Sequence, residues 1–218
     1  DLGRPLHVYD ADKIKGNLIM RFAKEKEKCL TLDEVEYECK KDMIVIADNN
    51  KLHGIGGVMG GLDSGCSSDT KNVFLEVALF DPISITKTGR NLKLQSDARY
   101  RFERGIDPSS IEWGVQAATK MIIDLCGGEA SKTVQTNILN TNIKKINFNT
   151  DKVKSLGGVK ISIKEQKNIL ESLGFIVQEK NNILITTSPS FRPDIDDEAD
   201  IVEEILRIYG YDKIPLID

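Results

Sequence analysis

Long apolar runs are missing from this 218-residue chain. None approaches the ~20 consecutive residues a membrane-spanning helix needs, and no leader of secretory type opens it, so neither a span nor a signal peptide is expected. Histidine and cysteine are scarce, at two and four. Cys29, Cys39, Cys66 and Cys126 lie far apart with no CxxC pair, and only His7 and His53 could join them. A zinc site is therefore not expected; free, reduced thiols of a cytosolic protein are. Excess positive charge is missing too. The 30 Lys and Arg against 34 Asp and Glu leave a net charge of −4, unlike a strongly basic nucleic-acid binder, so any RNA contact must rest on local positive charge. There is no repeat of solenoid period, no low-complexity tract, no phosphate-binding P-loop and no persuasive Ser-His-Asp order. What remains, 40% hydrophobic and 29% charged, is an ordinary globular composition with enough apolar material for a core. The chain opens at Asp1 instead of Met, as a mature N-terminus or an excised piece would.

Two regions differ in character. Before residue 140, strands and Gly-rich turns mix with one clear helix. Residues 43–47 are a short apolar run ending at Asp48-Asn49-Asn50, which predicts a buried strand into a turn. Residues 72–80 predict a second strand, apolar on both faces. Asp107-Pro108 starts a helix in which Trp113, Ala117, Met121 and Leu125 recur at helical spacing before Gly127-Gly128 stops it. A polar connection, Asn140 to Asn142 with Lys144-Lys145, leads into a region with its own start and stop signals. Ser162 and Glu165 form a capping-box pattern, Ile169, Leu170 and Leu173 an apolar stripe, and Gly174 a left-handed stop. Residues 175–180 and 183–187 predict a hairpin turned at Asn181-Asn182. Residues 194–209 predict a last helix with an acidic first turn (Asp196, Asp197, Glu198), Arg207 near its end, and Ile201, Ile205 and Ile208 buried. The expectation is an α+β fold in two domains, 1–143 and 144–218.

Four segments carry possible chemistry. His7 lies beside apolar residues, where a satisfied core histidine competes with a catalyst; Gly3 and Pro5 predict a shaped turn that would present it. Residues 53–65 hold six glycines in thirteen positions. With no helical period following, a dinucleotide site is rejected, leaving a flexible loop or a pocket wall of bare backbone. Glu76 interrupts a nearly all-apolar strand, where a buried charge is costly unless paired. It would either pair with an Arg or await a hydrogen-bond donor on a ligand. Lys87, Arg90, Lys93, Arg99, Arg101 and Arg104 meet only Asp97 and Glu103 within residues 87–104. That pattern fits a solvated basic face or contact with an RNA backbone, with Tyr100 and Phe102 as stacking or packing groups.

Taken together, LGRPLHVYDADKIKG (2–16), GVMGGLDSG (57–65), NVFLE (72–76), SDARYRFERGIDP (96–108), SFRPDI (190–195) and EADIVEEILRIYGYDKIP (198–215) resemble the bacterial-type phenylalanyl-tRNA synthetase beta subunit in order and spacing, over nearly the whole chain. The resemblance implies a mixed-sheet editing domain followed by a small helical, winged domain of nucleic-acid-binding type. It implies hydrolysis of tyrosine wrongly esterified to the tRNA for phenylalanine. His7 would stand at the pocket mouth, Gly60 against the amino-acid ring with Gly61 as a further substrate-binding residue, and Glu76 would read the tyrosine hydroxyl. Ser96 falls where many relatives have threonine, and Ala98 is a small residue whose enlargement would fill the site. Arg90, Lys93, Arg99, Arg101 and Arg104 become candidates for RNA contact. The hydrolytic water would be positioned by His7, by backbone amides or by a ribose hydroxyl. The resemblance also implies a cytoplasmic location, no membrane, no metal or cofactor in this piece, and ATP and magnesium in the whole enzyme. Its partners would be the tRNA for phenylalanine and an alpha subunit in an alpha2-beta2 assembly, with no aminoacylation site here. The acidic last helix favours a scaffold role for the second domain. The rival reading is a non-catalytic structural or RNA-binding module; a subunit-interaction surface is a third.

Overall fold

The computed structural model describes residues 7–136 and 144–215. Gly3, Pro5, the Asn140 to Asn142 connection and the boundary expected near 143 lie outside the described residues. The chain divides into two compact units, residues 1–106 with 110–135, and 107–109 with 136–218. The architecture is α+β, as expected.

In the first unit the strands are β1 (His7–Asp10), β2 (Ile19–Phe22), β3 (Glu27–Leu30), β4 (Glu36–Cys39), β5 (Ile44–Ala47), β6 (Leu52–Ile55), β7 (Met59–Gly60) and β8 (Val73–Glu76). The helices α1 (Pro82–Leu92), α2 (Asp97–Phe102) and α3 (Ser110–Cys126) follow. The strands pair antiparallel as a sheet of order β2-β5-β6-β7, a β3-β4 hairpin and a β1-β8 ribbon. The apolar run at 43–47 becomes β5, an inner strand, which explains why it lacks the alternation of a half-solvated one. Its turn is held by Asp48, whose carboxylate accepts the backbone N–H groups of Asn50 at 2.7 Å and Lys51 at 2.9 Å, and that of Lys15 at 2.7 Å. His53 is fully buried, with Nε2 2.9 Å from Asp48 Oδ2. Burial opposes ionisation of Asp48, yet the His53 contact and the three N–H donors hold its carboxyl well below the usual range.

Residues 72–80 depart from expectation. Only Val73–Glu76 is strand, and Val73 and Phe74 are exposed. Among the described residues the strand pairs with β1 alone, so it is a ribbon edge, not an inner strand with two apolar faces. The helix expected after Asp107-Pro108 is α3, and Gly127 and Gly128 end it at φ +74° and +97°. Trp113, Met121 and Leu125 are exposed on it. Helices α1 and α2 escaped the sequence reading although both carry caps: Asp81 accepts from Ser84 N at 2.7 Å before Pro82, and Ser96 accepts from Arg99 N at 3.0 Å.

The second unit contains β9 (Lys145–Asn149), α4 (Lys152–Gly157), α5 (Ile163–Ser172), β10 (Ile176–Lys180), β11 (Ile183–Thr187) and α6 (Glu198–Tyr209). Strand β11 is central in an antiparallel β10-β11-β9 sheet. Its hairpin turns at Asn181 and Asn182, both left-handed (φ 49° and 60°), the geometry of the tight turn that matches strand twist. Lys145, read as part of a connection, begins β9. Ser162 caps α5 by accepting from Glu165 N at 3.3 Å, and Gly174 is left-handed as expected. The reciprocal capping box forms instead at Asp197 and Asp200. That places the start of α6 at Glu198, later than the expected 194. Ile201 and Ile205 are buried but Ile208 is exposed; Val202 and Leu206 complete the buried face. Among the described residues no helix is long and apolar enough to cross a membrane.

Candidate functional site

A cavity of about 80 Å³ opens in the first unit between the β1-β8 ribbon, the β6-β7 hairpin and α2. That exceeds several times the ~10–15 Å³ needed for a single water. His7, Gly60, Glu76 and Ala98 all line it. Gly61 and Ser96 do not belong to its lining.

The ribbon supplies the polar groups. His7 stands directly opposite Glu76 in the antiparallel register, and Tyr9, two residues on, lies on the same face of the ribbon as His7. The Tyr9 hydroxyl donates a hydrogen bond to Glu76 Oε2. Tyr9 is almost wholly buried, its ring 4.2 Å from that of His7 and 6.2 Å, edge-on, from His53. Of the two readings open from sequence, pairing with an Arg is not seen among the described residues, and the ligand reading stays open. Its partner in the free protein is a phenol, and no Arg or Lys salt bridge to it occurs among the described residues. Burial raises the Glu76 pKa, and the bond from Tyr9 works against that rise. Burial lowers the His7 pKa, which favours a neutral imidazole near neutral pH, and its Nε2 is buried with no hydrogen-bond partner among the described residues. For Tyr9, burial first and the Glu76 charge second push the phenol far above its ordinary range, so it remains a donor.

The glycines shape the opposite wall, and the segment is not a flexible loop. Gly56 and Gly57 pack beneath Phe80, where an added Cβ would come within 2.8 and 2.9 Å of the ring; Gly57 also has φ +67°. Gly60 lies against the His7 ring, and a Cβ there would fall 2.2 Å from His7 Cε1. A Cβ at Gly61 would meet the His53 carbonyl at 2.6 Å, so Gly61 serves strand pairing instead of the cavity. Gly60→Ala is therefore expected to displace the imidazole while leaving the sheet folded. An imidazole proton titration in the variant should lose the lowered His7 value, and an unchanged titration would mean that the ring does not depend on Gly60.

Helix α2 contributes Ala98 and Phe102. Its cap, Ser96, also donates to the Val58 carbonyl, tying the helix to the hairpin. The Ser96 hydroxyl is thus engaged in structure and does not face the cavity as a binding group. Among the basic residues, Arg99 is the one held inside its own unit. It donates to the Leu94 carbonyl at 2.7 Å and to Glu103 at 3.0 Å, and it fills the space that a side chain at Gly89 would take. Lys87, Arg90, Lys93, Arg101 and Arg104 remain exposed, and the Arg104 guanidinium stacks 3.7 Å over the Tyr100 ring. Tyr9 was missed from sequence; the only signal was its spacing of two from His7, which acquires meaning once the ribbon register is known.

Residues 1–127 match the family model described as the B3/4 domain, and residues 146–211 match that of the tRNA synthetase B5 domain. The chain is similar to the phenylalanine–tRNA ligase beta subunit of Mesorhizobium japonicum, 46% identical over 214 residues and 98% of this chain. It is also similar to that of Paramagnetospirillum magneticum, 46% identical over 215 residues and 99% of this chain. It spans 27% of the length of each of these relatives. A solved N-terminal fragment of the phenylalanyl-tRNA synthetase beta subunit from Pyrococcus horikoshii aligns with a TM-score of 0.48 at 19% identity, covering 94% of this chain and 60% of that one.

Proposed function

Because the chain belongs to the phenylalanine–tRNA ligase beta-subunit family, as a stretch bearing its B3/4 and B5 domains, we propose that it hydrolyses tyrosine mischarged onto the tRNA for phenylalanine. The observation that carries this reading is Glu76, a desolvated carboxylate at a cavity otherwise lined mainly by apolar side chains and glycine backbone. Tyrosine and phenylalanine differ by one hydroxyl, which an apolar pocket separates weakly. A site built to hydrogen-bond that hydroxyl rejects the analogue lacking it by up to roughly 10⁴–10⁵-fold. Glu76 accepts the tyrosine hydroxyl, Ala98 leaves room for the ring, and Gly60 lets the His7 imidazole pack close beside it. Water adds to the ester carbonyl, the bond to the ribose oxygen breaks, and the water's proton passes to that oxygen. His7, neutral and with Nε2 unengaged, suits the task of holding the water. The exposed Lys87, Arg90, Lys93, Arg101 and Arg104 support the RNA backbone alongside.

The same reading makes an alpha subunit and the tRNA for phenylalanine the partners, in an alpha2-beta2 assembly and in the cytoplasm. ATP and magnesium would serve aminoacylation in the whole enzyme. Among the described residues no group of three or more His, Cys, Asp or Glu is placed to hold a metal, and no step of the hydrolysis is routed through one. The test is deacylation of tyrosyl-tRNA for phenylalanine by this chain beside the phenylalanyl ester. Tyrosine-selective release is expected, persisting to a pH below the ordinary histidine range, because burial holds the His7 pKa down. Equal rates on both esters would refute the reading.

A further inference from the structure

The proposed site contains a second phenol that its chemistry has not yet used. Tyr9 donates its hydroxyl to Glu76 Oε2, the group assigned above to a ligand's hydroxyl. Its ring is boxed in by His7 and His53 and almost fully buried, so a ligand cannot displace it without breaking up the ribbon's inner face. Glu76 therefore meets any ligand with one oxygen already engaged. We propose that Tyr9 is a positioning residue that sets the specificity of this site: by holding Glu76 Oε2, it turns Oε1 toward the cavity as a single charged acceptor for one incoming hydroxyl. This rests on the editing reading of the cavity.

The physical basis is the balance of forces on one carboxylate. Burial alone drives Glu76 toward its neutral, protonated form. A protonated carboxyl would offer a donor as well as acceptors and would read a phenol poorly. A donated hydrogen bond favours the charged form. The titratable groups lining the cavity around Glu76 are His7 and Tyr9, both on β1; β7 and α2 place Met59, Gly60, Ala98 and Phe102 there, none of which carries charge. His7 is itself favoured as neutral by burial, so it does not supply the missing compensation near neutral pH. Among the described residues, Tyr9 is the remaining group able to keep the carboxylate ionised and fixed in rotation.

Tyr9→Phe removes the hydroxyl and keeps the ring, so the β1 packing survives. The experiment measures hydrolysis of tyrosyl- and phenylalanyl-tRNA by the chain and by this variant across pH 4–9. The quantity read is the ratio of kcat/KM for the two esters, from which any effect of His7 common to both cancels. The expected result is a fall in the ratio of about ten-fold at neutral pH, the order expected when a hydrogen bond to a charged group is lost. The acid limb of the ratio should also move to higher pH, because Glu76 loses the donor that favours its charge. A selective wild type with an unchanged ratio and limb in the variant would overturn the proposal. The Glu76 carboxyl is titrated in parallel by carbon-13 NMR in both proteins. If the wild type proves unselective, the editing reading fails by itself. An upward shift of the Glu76 titration in the variant would then still establish Tyr9 as the group that sets this carboxylate, whereas coincident titrations would overturn that role as well.

Discussion

Glu76→Ala is expected to cut the preference for tyrosyl over phenylalanyl ester by about 10²-fold, taking a hydrogen bond to a charged group as worth ~1.5–3 kcal/mol. The loss should fall on the tyrosyl ester, whose hydroxyl would enter a cavity without an acceptor. The phenylalanyl ester never used the carboxylate, and its hydrolysis should stay level or rise as the pocket becomes more apolar. Two features separate this result from general damage. Glu76 stands on a ribbon edge and is partly exposed as a residue, so truncation leaves no large internal void. Its removal also relieves a desolvated charge, while orphaning the Tyr9 hydroxyl at a cost of about 1–3 kcal/mol. The net change in stability should therefore be modest beside the change in selectivity. Glu76→Gln refines the test, since the amide retains an acceptor oxygen without the charge. It should preserve part of the selectivity and remove its acid limb. A Glu76→Ala protein that remains as selective as the parent would dismiss the carboxylate as the reader, whatever the cavity does.

The parts of this molecule legible in sequence are those decided locally. The Asn181-Asn182 turn, the stop at Gly174 and the buried run before Asp48 each depend on a few adjacent residues, and each is present where expected. The family was legible because its motifs fall in order along the chain, and the matches to the B3/4 and B5 domains agree. The convergence of His7, Gly60, Glu76 and Ala98 on one cavity followed from that likeness, not from local pattern. What escaped depends on which strand lies beside which. Nothing in residues 72–80 shows that, among the described residues, their strand pairs with β1 alone, so Val73 and Phe74 were expected to be buried and are exposed. The same register brings Tyr9 to Glu76, a contact across 67 positions of chain. Arg99 was indistinguishable by type from the exposed Arg101 two residues on; only the fold turns one toward Gly89 and leaves the other in solvent. In α6, a three-position stripe pointed to Ile208. The buried face instead runs through Ile201, Val202, Ile205 and Leu206, and includes Glu204.

Glu204 is the charged residue of the second unit whose loss should be felt through the whole unit. It is a carboxylate with 6% of its side chain exposed, in the middle of the buried face of α6. Two arginines meet it. Arg192 Nη1 lies 2.8 Å from Oε2, and Arg207 Nη2 lies 2.6 Å from the same oxygen. Arg192 is itself oriented by Asp194, with Nε 2.8 Å from Oδ1, so the segment before α6 is pinned to the helix through one carboxylate. Breaking a buried pair by removing one partner typically costs ~3–5 kcal/mol. Because Arg192 and Arg207 are 24% and 45% exposed and can regain water, Glu204→Ala should cost less, about 2–3 kcal/mol. That corresponds to a fall in Tm of roughly 10 °C or more for a domain of this size. Arg207→Ala, which removes the more exposed partner, should change stability far less than Glu204→Ala. The pH dependence has a definite sign. The bond from Arg192 foremost, and that from Arg207, hold the Glu204 pKa below its ordinary value against the opposing effect of burial. Its contribution is therefore fully present above the unfolded carboxylate range and is lost as pH falls through the lowered folded value. Amide exchange of α6 and the β9–β11 sheet is the appropriate measurement, because it resolves one unit from the other. In Glu204→Ala those amides should exchange faster while those of β5 and β6 hold their rates, and the acid-induced loss seen in the parent between its folded and unfolded Glu204 values should shrink. Exchange in α6 as slow as in the parent would show that the two arginines find equivalent partners in water and that this carboxylate does not hold the unit together.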